Sequence, residues 1–149
     1  MKVTYDINGV IRGFNIKPGA ILIDVLRENG YLSVKKACDE GNCGICTIHV
    51  DDAPILSCCY LAAKADGHKI TTIEGLKDEA EKLGKFITEE GTDQCGFCNP
   101  SLVMAVIAMK KELINPTENE IKQYLVGNTC RCSGYQGHHR AILKYMEVE

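Results

Sequence analysis

Apolar and polar positions alternate over the first residues of the chain, which is the pattern of a half-buried β-strand. Asn8-Gly9 interrupts this alternation and is a strong signal for a tight hairpin turn. Further on, apolar residues recur at helical spacing, and Gly30 provides a C-terminal stop. The elements predicted for this half are strands at 2–7, 10–16, 47–50, 54–56 and 70–73, and a helix at 20–29. We therefore expect a sheet with one helix packed on it.

From about residue 77 the pattern changes to longer amphipathic runs with few β-branched clusters. Along one run, apolar side chains recur every three or four residues, at Leu102, Val106, Met109 and Leu113. Thr117 and Glu120 fit a capping box, which predicts the start of another helix. Helices are expected at 78–90, around 102–113, from 117 onward and at 136–146. The chain is thus predicted to be α+β, with one domain over residues 1–76 and a helical one over 77–149.

Composition excludes several functional classes. The 149 residues are 45% hydrophobic and 25% charged with a net charge of −3, which is ordinary for a globular protein. The 17 Lys and Arg residues are scattered, so the basic stripe of a nucleic-acid interface is missing and no nucleic-acid partner is expected. The sequence shows neither a secretory signal nor an apolar run of about 18 residues. We expect a cytoplasmic protein that does not associate with a membrane.

The nine cysteines favour metal binding over disulfide bonds, because the cytosol keeps thiols reduced and an odd number excludes complete disulfide pairing. Cys38, Cys43 and Cys46 have the x4, x2 spacing of a plant-type 2Fe–2S loop, and Cys58 follows twelve residues later. Four buried cysteines that merely fill a core would need no such spacing. This first group is therefore interpreted as an iron–sulfur site.

Two details of the first group come from its neighbours. Gly41 and Gly44 can adopt positive φ, which lets backbone N–H groups approach the cluster sulfides. The fourth ligand is either Cys58 or Cys59, because adjacent residues of an extended segment face opposite ways. We favour Cys58 and interpret Cys59 as a small apolar packing residue.

A second group combines two short-spaced cysteine pairs that lie far apart in the sequence, Cys95 with Cys98 and Cys130 with Cys132. By spacing alone such a four-sulfur set can hold either zinc or an iron–sulfur cluster. The Cys-x-Cys pair is tighter than the two-residue gap that is usual in zinc knuckles, which modestly favours a cluster. Both interpretations stay open at this point.

The residues around the cysteines carry a more specific likeness. The second half contains Gln94-Cys95-Gly96-Phe97-Cys98-Asn99-Pro100 and Asn128-Thr129-Cys130-Arg131-Cys132-Ser133-Gly134-Tyr135; the first half contains Leu26-Arg27-Glu28, Ser57-Cys58 and Thr71-Thr72-Ile73-Glu74-Gly75-Leu76. These motifs resemble the small iron–sulfur subunit of the molybdenum hydroxylase family, which includes xanthine, nicotinate and carbon monoxide dehydrogenases and aldehyde oxidoreductases. The likeness spans nearly the whole chain.

The resemblance implies a β-grasp, plant-type ferredoxin-like domain followed by a four-helix-bundle 2Fe–2S domain. It implies two 2Fe–2S clusters and the ligands Cys38, Cys43, Cys46 and Cys58 for the first, and Cys95, Cys98, Cys130 and Cys132 for the second. Gln94 and the Cys132 region would contact a molybdenum–pterin on a large partner subunit, and a medium subunit would contain FAD, in a hetero-oligomer such as a dimer of heterotrimers.

In such a complex the second cluster would lie nearer the molybdenum, and the first would pass single electrons to FAD. No residue here resembles a catalytic group, and the substrate is expected to be a purine or another N-heterocycle such as nicotinate. Three alternatives stay open: a free-standing ferredoxin-like carrier, a zinc-bound structural domain, and the small subunit of a reductase that runs the same path in reverse.

Some positions depart from the family pattern, namely Ala37, Cys59, Asn99, Ser101 and His138, and none of them removes a ligand. His138, where the family usually has Ile, and His139 are interpreted as solvated or interface residues. His49 and His68 lack the paired spacing of a Rieske centre and are predicted to lie at the surface.

Overall fold

An antiparallel hairpin opens the fold. Strands β1 (Lys2–Ile7) and β2 (Val10–Asn15) pair along their whole length, and alternate residues of β1 are buried. Asn8 and Gly9 connect them with φ of 54° and 83°, the left-handed geometry that a tight hairpin turn requires. The predicted hairpin is thus confirmed. The structure is a computed structural model that describes residues 1–148, so Glu149, the last residue of the predicted second domain, lies outside the described residues.

Three further strands complete a five-stranded sheet of the order β2-β1-β5-β3-β4: β3 (Thr47–Val50), β4 (Ala53–Leu56) and β5 (Lys69–Thr71). β1 and β5 run parallel and the other neighbouring pairs run antiparallel. Helix α1 (Leu22–Glu28) buries Leu22, Ile23, Val25 and Leu26 in the core of this half. This is the expected β-grasp arrangement.

Four helices form the second half: α2 (Lys77–Glu89), α3 (Asn99–Glu112), α4 (Glu118–Tyr124) and α5 (Gln136–Met146). The predicted capping box is present, because the Thr117 hydroxyl accepts the Glu120 N–H and the Glu120 carboxylate accepts the Thr117 N–H. These helices surround a second apolar core. Within residues 1–148, none of the helices is long and apolar enough to cross a lipid bilayer.

Helix α3 joins the two halves. Every residue from 101 to 109 is buried, whereas the sequence pattern predicted one apolar face. The reason is that α3 contacts α2 on one side and the strands β3 and β4 on the other. Its outward positions, which would face water in an isolated bundle, are instead covered by the sheet.

The predicted surface position of His49 is wrong. His49 is only 1% exposed, because α3 covers the face of β3 on which it lies, and its Nε2 donates to the Met104 carbonyl at 2.8 Å. Burial lowers the pKa of this imidazole. His68 is exposed as predicted and pairs with Asp51.

Candidate metal centres

The first cysteine loop, residues 37–46, leads into β3 without regular secondary structure. Gly41 and Gly44 have φ of 76° and 69°, so the predicted positive φ is confirmed at both. The Cys38 Sγ accepts the N–H of Glu40 at 3.5 Å. This bond, followed by contact with the Cys43 thiol, lowers the pKa of Cys38 to about 6. The loop therefore presents N–H groups to sulfur, as a thiolate-held cluster needs.

The remaining sulfur of this group comes from a 3-10 turn at Ser57–Cys59. The Ser57 hydroxyl donates to the Cys46 carbonyl at 2.7 Å and ties the turn to the loop. The thiols of Cys46 and Cys58 interact directly, and burial raises the pKa of Cys46 to about 11. Cys58 is buried beside it, which makes it the closer match to the expected fourth ligand.

Cys59 is exposed, so its interpretation as an apolar packing residue is wrong. Its Sγ lies 3.6 Å from the Cys58 Sγ. A Cβ built on Gly41 would lie 2.9 Å from the same Cys59 sulfur, so this thiol rests against the backbone of the first loop. No local sequence pattern indicates this contact, because it depends on how the turn at Ser57–Cys59 folds back onto the first loop.

The second group forms where two chain segments meet. Cys95 and Cys98 immediately precede α3, and Cys130 and Cys132 lie in the loop between α4 and α5. The Sγ atoms of Cys95 and Cys132 are 3.5 Å apart. Cys98 and Cys130 interact directly in the same way, and burial is the main cause that raises the pKa of Cys98 to about 12.

The eight predicted ligands thus fall into four sulfur pairs, two in each group: Cys38 with Cys43, Cys46 with Cys58, Cys95 with Cys132 and Cys98 with Cys130. Among residues 1–148, no three His, Cys, Asp or Glu side chains converge as one metal ion would require. A 2Fe–2S core is held by four cysteine thiolates, with two on each of its irons. Paired thiols therefore fit a diiron core.

A direct contact links the two cysteine groups. The backbone N–H and the hydroxyl of Thr129 both donate to the carbonyl of Cys43, each at 3.0 Å. Thr129 immediately precedes Cys130, so a predicted ligand of one group is hydrogen-bonded to the neighbour of a predicted ligand of the other. A Cβ on Gly44 would lie 2.4 Å from the Gly127 carbonyl, so the two loops can approach this closely only with glycine at 44.

The two groups differ in their access to solvent. Cys95 and Cys132 are exposed, and Gln94 next to them is exposed as well. Cys46, Cys58 and Cys98 are buried. One sulfur pair of the second group therefore opens onto the molecular surface.

The interpretation of His138 as a solvated or interface residue is wrong, since it is 3% exposed on the inner side of α5. Its Nδ1 lies 3.2 Å from the Ser133 hydroxyl, which lies 3.1 Å from the Cys130 sulfur. Burial acts to raise the pKa of Cys130, but hydrogen bonds from the Ser133 side chain and backbone outweigh it and hold this pKa low. His139 is half-buried and stacks on the Tyr135 ring.

Comparison with known proteins tests the iron–sulfur interpretation. Residues 5–71 match the family described as the 2Fe-2S iron-sulfur cluster binding domain, and residues 72–143 match the [2Fe-2S] binding domain family. The xanthine dehydrogenase iron-sulfur-binding subunit of Escherichia coli O157:H7 is 46% identical over 87% of this chain and 84% of its own length. The nicotinate dehydrogenase small FeS subunit of Eubacterium barkeri is 37% identical over 94% and 91%.

The chain belongs to the family of small iron–sulfur subunits of the molybdenum hydroxylases. Its fold also matches the solved quinoline 2-oxidoreductase from Pseudomonas putida 86, with a TM-score of 0.90, 36% identity and coverage of 99% of this chain and 94% of that one. These matches decide the second group in favour of an iron–sulfur cluster over zinc. This iron–sulfur subunit is an electron-transfer component of an oxidoreductase with two 2Fe–2S clusters.

Proposed function

We propose that this chain relays electrons one at a time from the molybdenum–pterin site of a large partner subunit, through two 2Fe–2S clusters, to FAD on a medium subunit. When bound, each 2Fe–2S cluster accepts and releases a single electron. The observation that carries the proposal is the pair of hydrogen bonds from Thr129 to the Cys43 carbonyl. They join the two ligand loops by a short path of covalent and hydrogen bonds, as stepwise transfer requires.

The proposed ligands are the eight cysteines of the four sulfur pairs. Cys38, Cys43, Cys46 and Cys58 would hold the first cluster, and Cys95, Cys98, Cys130 and Cys132 the second. Support comes from the donor chemistry, because N–H groups of Glu40 and Ser133 point at the sulfurs of Cys38 and Cys130. Such bonds stabilise negative charge on sulfur and tune the potential of a bound cluster.

The second cluster is proposed to face the molybdenum subunit. Cys95, Cys132 and Gln94 are exposed together, so a partner's pterin can reach this sulfur pair and the Gln94 amide. The amide offers both a donor and an acceptor to a heterocycle. The first cluster, farther along the relay, would then serve the FAD subunit.

The proposed substrate and assembly are those of the related proteins. The names of related subunits refer to xanthine, nicotinate and nicotine, so we propose a purine or another N-heterocycle as the substrate of the complex. The relatives are subunits of larger enzymes, which supports heteromeric partners here. A dimer of heterotrimers, the domain boundary between residues 76 and 77, and the cytoplasmic location stay predictions.

Two other functions would use the same chain. A free-standing carrier would purify without large and medium partners, whereas we expect co-purification of the three at a fixed ratio. A reductase would run the relay in reverse, from FAD toward the molybdenum site. Rapid mixing of the purified complex with substrate distinguishes these directions, because we expect electrons from the substrate to reduce the two iron–sulfur clusters.

The ligand assignment is tested by Cys98→Ala in the complex. We expect the variant to lose the second cluster and retain the first, which halves the iron and acid-labile sulfide per chain. Electron paramagnetic resonance (EPR) of the dithionite-reduced protein should show one signal in place of two. Full occupancy of both clusters in this variant would refute the assignment of Cys98.

A further inference from the structure

The hydroxyl of Ser133 lies among three polar neighbours. Its Oγ is 3.1 Å from the Cys130 sulfur, 3.2 Å from His138 Nδ1, and it accepts the N–H of Tyr135 at 3.2 Å. A serine hydroxyl has one proton to donate and two lone pairs to accept with. The Tyr135 N–H takes one lone pair, so the direction of the other two hydrogen bonds depends on the tautomer of His138.

If His138 has its proton on Nδ1, all three hydrogen bonds of the Ser133 hydroxyl can form. His138 then donates to the Ser133 hydroxyl, and the only proton of Ser133 points to the Cys130 sulfur. If Nε2 has the proton, Ser133 must donate to His138 instead, and the sulfur loses its O–H donor.

Burial decides between these tautomers. The Nε2 atom is buried and has no hydrogen-bond partner among the described residues. A buried N–H without an acceptor is rarer and more costly than a bare ring nitrogen that lacks a donor. Protonation at Nδ1 avoids that cost, so the hydrogen-bond count assigns the proton to Nδ1.

We propose that His138 is a positioning residue that acts through Ser133: it locks the serine hydroxyl onto the Cys130 sulfur and thereby raises the reduction potential of the second cluster. The inference rests on the proposed assignment of Cys130 as a ligand. An O–H donor on a ligand sulfur favours the reduced cluster, because that state has the greater negative charge. His138 is 3% exposed, so bulk water cannot readily replace its hydrogen bond to the Ser133 hydroxyl.

The experiment is a redox titration of the assembled complex, followed by EPR of the two reduced clusters. We expect Ser133→Ala to shift the second cluster to lower potential, while Ser133→Thr, which keeps a hydroxyl, stays near the wild type. His138→Leu should shift the potential in the same direction. Because His138 acts through Ser133, the double variant should shift no further than Ser133→Ala alone.

Two controls make the result specific. The first cluster lies in the same molecule, and its potential should stay unchanged in every variant. Ser101→Ala removes a buried hydroxyl that donates to the Cys98 carbonyl rather than to a sulfur, so its effect should be clearly smaller. Equal shifts of the potential in Ser101→Ala and Ser133→Ala would overturn the proposal. An unchanged potential in Ser133→Ala would overturn it too, as would additive shifts of the potential in Ser133→Ala and His138→Leu.

A second pair of variants decides the matter should Ser133→Ala fail to load both clusters. In His138→Asn the amide nitrogen takes the place of Nδ1, whereas in His138→Gln it reaches toward Nε2. We expect a near-wild-type potential in the Asn variant and a lowered one in the Gln variant, and the reverse order would refute the lock. Loss of the second cluster in Cys98→Ala with no shift in the Ser133 and His138 variants would defeat this inference and leave the proposed relay intact.

Discussion

At the scale of single residues, Gly44 has the strictest steric requirement of the first loop. Its φ of 69° and the space for a Cβ, only 2.4 Å from the Gly127 carbonyl, both exclude a side chain. The sequence predicted the positive φ, but it could not predict the reason. The close neighbour is the backbone carbonyl of Gly127, which lies more than eighty residues away along the chain.

Gly44→Ala is expected to lower the free energy of unfolding by well over about 1 kcal/mol, because steric overlap adds to the backbone strain. Chemical denaturation of the purified complex measures this change, and EPR reports whether magnetic interaction between the two clusters weakens. Gly67→Ala is the matched control, since Gly67 also has positive φ (77°) but nothing within 4 Å of a Cβ. If both variants lose the same stability, the loop contact is not what requires glycine at 44.

The adjacent thiols Cys58 and Cys59 allow a test at one position of the first cluster. Cys58→Ser should remove the first cluster and lower iron and labile sulfide by about half, because the buried thiol that contacts Cys46 is lost. Cys59→Ser should keep both clusters, because the thiol that contacts Cys46 is that of Cys58 and not that of Cys59. Metal analysis and EPR of both variants decide the ligand, and a first cluster that survives Cys58→Ser would identify Cys59 as an able substitute.

Among the elements, helices α2 and α5 are joined by an ion-pair network that centres on one acidic residue. Glu90, at the C-terminal end of α2, accepts hydrogen bonds from Lys144 Nζ at 2.6 Å and Arg140 Nε at 2.7 Å on α5. These two cations, Lys144 foremost, lower the pKa of the Glu90 carboxyl from its ordinary value of 4.5. The two ion pairs of Glu90 therefore stabilise the fold only while the Glu90 carboxyl is ionised.

Glu90→Gln should lower the thermal unfolding midpoint at pH 7. Because the folded pKa lies below the unfolded one, the stabilisation is fully present above pH 4.5 and is lost as the pH falls through the folded value. The difference between variant and wild type should therefore shrink as the pH falls below about 4.5. Glu89→Gln on the same helix is the control, and a difference that is independent of pH would rule out this linkage.

Across the entire chain, the two apolar cores and the two cysteine loops differ in what stabilises them, although Cys46 and Cys58 also belong to the first core. Each half has its own core of buried side chains, whereas the loops at 37–46 and 128–135 have little regular structure. Metal binding supplies free energy that such loops cannot obtain from packing. Stability of the loops should therefore depend on the clusters more than stability of the sheet does.

Removal of both clusters by chelation under reducing conditions should lower the thermal midpoint and speed amide exchange first in these two loops. The hairpin of β1 and β2 should exchange little faster, because neither strand contains a predicted ligand and the two strands pair along their whole length. Hydrogen–deuterium exchange of the holo and apo forms measures this difference, and reconstitution with iron and sulfide should reverse it. A uniform rise over the whole chain would show that the clusters stabilise the fold globally.

Local patterns were sufficient to predict the elements. The hairpin at Asn8-Gly9, the capping box at Thr117 and all four later helices are confirmed, because each depends on nearby residues. The ligand motifs likewise lie within short segments. The sequence could not predict the tertiary packing. His49 is buried because α3 covers β3, and His138 is buried because it lies on the packed face of α5, and neither contact is visible in a local pattern.

The hydrogen bonds between Thr129 and Cys43 also limit how this subunit can be engineered. The two halves cannot be exchanged as independent modules, although each has its own core. A chimaera that replaces the first half with another plant-type ferredoxin would need a glycine at the position of Gly44 and a backbone carbonyl in reach of Thr129. Without them, both clusters could assemble and electron transfer between them would still be slow.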